Sequence, residues 1–166
     1  MNNLETVEEA GAFVREQAGV VGSKFTHPED DWTPVLFLFG AGIPRQPLVI
    51  ALAEVMVDDE SKEQFVAMLP SLLRKLRPRV ACFLSSSWSV TLKKGEELEV
   101  RPSQDPERIE QLTLYVFGRE REEMWFARIF RDGEQPPALQ EWTEWTDQPG
   151  AGVAGRFAEA IREGLR

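Results

Sequence analysis

The chain has 166 residues, a single cysteine, a single histidine and a formal net charge of -9. That length suits one domain with a substantial core. One cysteine excludes an internal disulfide, and no apolar run approaches the ~20 residues of a membrane span. Met-Asn-Asn-Leu-Glu at the start lacks the basic-then-apolar pattern of a secretory signal, so the expectation is a cytoplasmic protein away from membranes. Residues 1–60 carry 11 acidic and 3 basic side chains, net -8, and residues 61–166 carry 17 and 16, net -1. An acidic chain repels phosphate backbones, which argues against a nucleic-acid partner. The basic group Arg74, Lys75, Arg77 and Arg79 falls at an expected helix end, where it complements the helix dipole.

In chain order, Leu4, Val7, Gly11, Val14 and Ala18 recur at helical spacing and predict a helix over 4–18. Thr6 and Glu9 have capping-box spacing. Val-Leu-Phe-Leu-Phe (35–39) and Leu48 to Val55 read as buried strands. Asp58 or Asp59 caps a second helix over about 60–77, with Phe65, Leu69, Leu72, Leu73 and Leu76 as its stripe. Pro70 removes a backbone donor inside that helix and predicts a kink or break near 66–70.

Val80 to Leu84 is a third strand that can run on through Trp88 to Leu92. Lys94-Gly95 suits a tight turn pairing Trp88–Leu92 with Leu98–Arg101. Leu112 to Phe117 and Met124 to Arg131 are further strands, separated by the charged turn 118–123. Pro136-Pro137 opens an irregular segment holding Trp142 and Trp145. A last helix over about 152–165 carries Val153, Phe157, Ile161 and Leu165. The expected fold is α+β: a single domain with a mixed sheet of about five strands, a β-β-α-β-β-β core, and N-terminal, central and C-terminal helices. The link from the second strand through the helix to the third is long enough for a parallel crossover.

Familiar chemical motifs are poorly supported. Gly150-Ala151-Gly152-Val153-Ala154-Gly155 spells the dinucleotide fingerprint, but the segment expected before it is irregular and Trp-rich and the chain ends at Arg166. His27 and Cys82 cannot supply a zinc ligand set between them. Asp58-Asp59-Glu60 lacks the calcium-loop pattern. Ser85, Ser86 and Ser87 have no nucleophile elbow around them and only His27 as a base. No cofactor and no metal are expected.

The segment from Ser85 to Glu110 gathers hydroxyl, carboxylate and guanidinium groups beside a large aromatic. Trp88, Ser103, Asp105, Arg108 and Glu110 form the candidate contact site, with Arg108 bridging the nearby carboxylates. Its Trp-bearing strand, followed by Arg-Pro-Ser-Gln-Asp-Pro-Glu-Arg-Ile-Glu, resembles an uncharacterised bacterial protein family of unknown function. The resemblance covers 83–116 and implies a shared fold without an activity. The family's Trp follows an acidic residue, whereas Ser86 and Ser87 precede Trp88 here.

Three functions are compatible with these residues. The first is a non-enzymatic binding or protein-interaction domain, with a homo-oligomer or another protein as partner. The second is an enzyme using carboxylates near Asp105 and Glu110 on a small polar substrate, with Arg108 orienting an anionic group. The third is a structural component of a phage-like or other multi-protein assembly.

Overall fold

The computed structural model describes residues 5–40, 42–43, 46–89, 104, 106, 108–145 and 155–166. Thr6 begins the first helix, α1 (Val7–Ser23), by accepting the Glu9 N–H, and its hydroxyl donates to the Glu9 carboxylate at 2.9 Å. The helix outruns the expected end at residue 18, because no proline or left-handed residue interrupts it. Gly22 matters there: a Cβ at that position would lie 2.7 Å from the Trp32 ring.

Strands β1 (Val35–Phe39) and β2 (Leu48–Ala51) form an antiparallel pair. Asp58 then caps α2 (Asp59–Leu76) by accepting the Ser61 N–H at 2.7 Å. This helix continues through Pro70 without the expected break. The ring is buried, so its packing offsets the lost backbone hydrogen bond. Arg77 ends the helix in the left-handed region at φ 55°. Strands β3 (Val80–Ser89), β4 (Ile109–Phe117), β5 (Glu122–Phe130) and β6 (Ala138–Glu144) follow, then α3 (Arg156–Leu165).

The fold is α+β, with six strands rather than about five, in the order β2-β1-β3-β4-β5-β6. The sixth is β6, formed by the stretch around Trp142 that the sequence pattern predicts to be irregular. The sheet is antiparallel throughout rather than mixed. The expected crossover does join two strands of the same direction, β2 and β3. However, β1 lies between them and pairs antiparallel with both, so no parallel ladder forms.

Strand alternation divides the core into two layers. Val80, Cys82, Leu84, Leu112, Leu114 and Val116 meet α1 through Val7, Ala10, Val14 and Ala18. Leu36, Leu38, Ala81, Phe83 and Phe117 meet α2 and α3 through Phe65, Leu69, Leu73, Ile161 and Leu165. The two helices on that second face run in the same direction. Phe65 stacks near Phe157, and a Cβ on Gly164 would come within 2.6 Å of Leu73.

Candidate functional site

The far end of β3 passes from core into a polar surface on the α1 face. Cys82 and Leu84 are buried there, and Ser86 and Trp88 follow them on the same face by alternation. Trp88 lies directly opposite Glu110 of β4, and Ser89 opposite Ile109. The expected turn at Lys94-Gly95 and the expected partner stretch 98–101 lie outside the described residues. So do Ser103 and Asp105, leaving Trp88, Arg108 and Glu110 of the candidate site to be placed.

Those three are brought together, with Trp88 between Arg108 and Glu110. The guanidinium that holds the Glu110 carboxylate is Arg131, just beyond the end of β5. Arg131 also donates to the backbone carbonyls of Pro28 at 2.9 Å and Asp30 at 3.0 Å, and pairs with Asp31 at 3.2 Å. Ser86 donates to the other Asp31 oxygen at 3.2 Å. One guanidinium therefore fastens the loop between α1 and β1 to the ends of β4 and β5. Arg108 lies over the Trp88 ring, 4.5 Å from its centroid. Trp88 keeps 41% of its surface exposed beside this pair.

The loop that Arg131 grips is itself preorganised. Asp30 accepts the N–H groups of Thr26 and His27, which hold its carboxyl below the ordinary aspartate range. Trp32 anchors the loop to α1 by donating its indole N–H to the Ala18 carbonyl at 2.9 Å, with Phe25 edge-on to its ring. His27 hydrogen-bonds its neighbour Thr26 through Nδ1. Among the described residues it makes no hydrogen bond to a serine. Among the described residues, no three His, Cys, Asp or Glu side chains are arranged to hold a metal ion.

Neither Arg131 nor Asp31 belongs to the site that the sequence pattern predicts. A signal for Arg131 was nonetheless present. The short turn between β4 and β5 sets their register, with Gln111 opposite Arg128, and this brings Arg131 towards Glu110 on the α1 face.

A second polar cluster, also unforeseen, lies under the N-terminal half of α1. Glu123 is 8% exposed and accepts from the Trp125 indole at 3.1 Å and from Arg121 at 3.0 Å. Arg121 also pairs with Glu8 at 2.7 Å. Arg15 stacks 3.5 Å above the Trp125 ring, where burial lowers its pKa against the opposing pull of Glu123 and Glu144. This arrangement ties α1 to the sheet.

Cys82 is fully buried, and burial pushes its thiol well above the ordinary range, so it carries no nucleophilic thiolate. Of the glycine motif, only Gly155 falls among the described residues, at φ +117° before α3. No described helix is long and apolar enough to cross a membrane.

The chain matches no known family model, no curated protein and no solved structure.

Proposed function

We propose that this chain is a cytoplasmic, non-enzymatic interaction domain that presents Trp88 and Arg108 to a protein partner. The observation that supports this reading is the half-exposed indole with a guanidinium stacked on it, beside a frame held by Arg131. Trp and Arg are the side chains most enriched where interface energy concentrates. A rigid base lowers the ordering cost of binding. The carboxylate-enzyme alternative finds less support, since Glu110 is engaged by Arg131 rather than open to a substrate.

The test is quantitative affinity capture with four baits: wild type, Trp88→Ala, Arg108→Ala and Val57→Ala. Val57 is 72% exposed and serves as the control. A partner held by wild type and the control, and reduced about fivefold or more by either site variant, supports the proposal. Equal recovery on all four baits refutes it.

A further inference from the structure

The parallel helices α2 and α3 carry an outward groove on the sheet face opposite Trp88. It has a volume of about 610 Å³, and Val66, Ala67, Pro70 and Ala160 contribute its apolar lining. Ala67 and Ser71 stand exposed on its α2 wall. Two ion pairs close the ends. Glu63 meets Arg156 at 2.6 Å where both helices begin, and Arg74 meets Glu163 at 3.0 Å where both end.

These four charges form a quadrupole. Along α2 the sign runs from acid to base, and along α3 from base to acid. A two-fold axis lying in this face, whether along the helices or across them, sets each corner against a charge of opposite sign. If the axis lies across, Glu63 faces the second copy's Arg74, and Arg156 faces its Glu163. If it lies along the helices, Glu63 faces Arg156 of the second copy, and Arg74 faces Glu163. The lengthwise arrangement is the favoured one, because a crosswise axis would set Glu159, which lines the groove midway between Arg156 and Glu163, against its own copy. A face that complements itself under rotation is what a symmetric dimer requires.

From this pattern we infer that the α2–α3 face binds a second copy of this chain. The 18-residue α2 is about 27 Å long and the 10-residue α3 about 15 Å, each about 10 Å wide. Pairing two such faces covers roughly 800 Å² in total, in the range of weak, transient contacts. The dimer is therefore weak and concentration-dependent. The net charge of -9 per chain opposes it at low ionic strength.

Sedimentation velocity over a concentration series tests this, with wild type, Ala67→Arg, Ser71→Glu and Trp88→Ala. Ala67 and Ser71 are exposed, and unchanged circular dichroism and Tm confirm that these variants fold. Wild type and Trp88→Ala should dimerise alike. Ala67→Arg and Ser71→Glu should each weaken association about tenfold or more. A wild type that remains monomeric to about 1 mM overturns the inference and leaves the groove to a different protein. Dimerisation unaffected by both groove substitutions overturns it equally. Loss of dimer in Trp88→Ala alone would move self-association to the Trp88 surface and refute this site.

Discussion

Replacing Arg131 by Met keeps the aliphatic stem and removes every polar contact that joins the α1–β1 loop to β4 and β5. Its partners are the Glu110 and Asp31 carboxylates and the carbonyls of Pro28 and Asp30. The Glu110 side chain is only 14% exposed, so the substitution strands a largely desolvated carboxylate. Breaking a fully buried pair costs about 3–5 kcal/mol. Asp31 is 40% exposed and Arg131 27%, so water recovers part of that. The expected loss is about 2–3 kcal/mol, which for a chain of this size lowers Tm by roughly 4–12 °C. Urea unfolding followed by near-ultraviolet circular dichroism, which senses Trp32 and its neighbours, measures it. The double variant Arg131→Met/Glu110→Gln removes the stranded charge and should recover about 1–2 kcal/mol relative to additivity. A loss below about 0.5 kcal/mol, the range of ordinary surface changes, would show that Arg131 does not latch the fold.

Three further outcomes are expected. Gly164→Ala forces a methyl within 2.6 Å of Leu73 at the α2–α3 contact, so despite better helix propensity it should destabilise by about 1–2 kcal/mol in urea unfolding. Asp58→Ala should lower Tm at neutral pH. Backbone hydrogen bonding holds the Asp58 carboxyl below its ordinary value of 3.8, so its contribution is present above that value and disappears as pH falls through the folded-state pKa. The gap between wild type and Asp58→Ala should therefore close in acid, and a gap constant across a pH series would contradict the capping argument. Cys82 should resist a thiol-specific disulfide reagent at about pH 8 in the native protein and react fully in denaturant. Rapid labelling of the folded chain would contradict its burial.

The helices were legible because their signals are local. Thr6 with Glu9 and Asp58 with Ser61 are within one turn of the groups they bind. The buried strands β1 and β3 read clearly because both of their faces are apolar over the core. Strand β6 did not read as a strand. It is an edge strand with a wet face, and Gln140-Glu141 interrupts its alternation near the register shift between Ala127 and Ile129. The candidate site was half legible. The sequence brought Trp88, Arg108 and Glu110 to one end of the sheet, but it did not supply Arg131 as the partner of Glu110.

Composition, periodicity and capping by themselves determined an α+β chain with a central helix between strands and a polar, Trp-bearing end to β3. They could not place β1 between β2 and β3, because strand order depends on which hydrophobic faces fit together and not on any local pattern. Nor could they bring Arg131 to Glu110, 21 positions earlier, or Glu63 and Arg74 to α3, 93 and 89 positions away. Charge pairs of that separation exist only after the sheet and helices have packed. In this protein the tertiary structure set Arg108 over an exposed indole and brought Arg131 in to fasten the α1–β1 loop to Glu110.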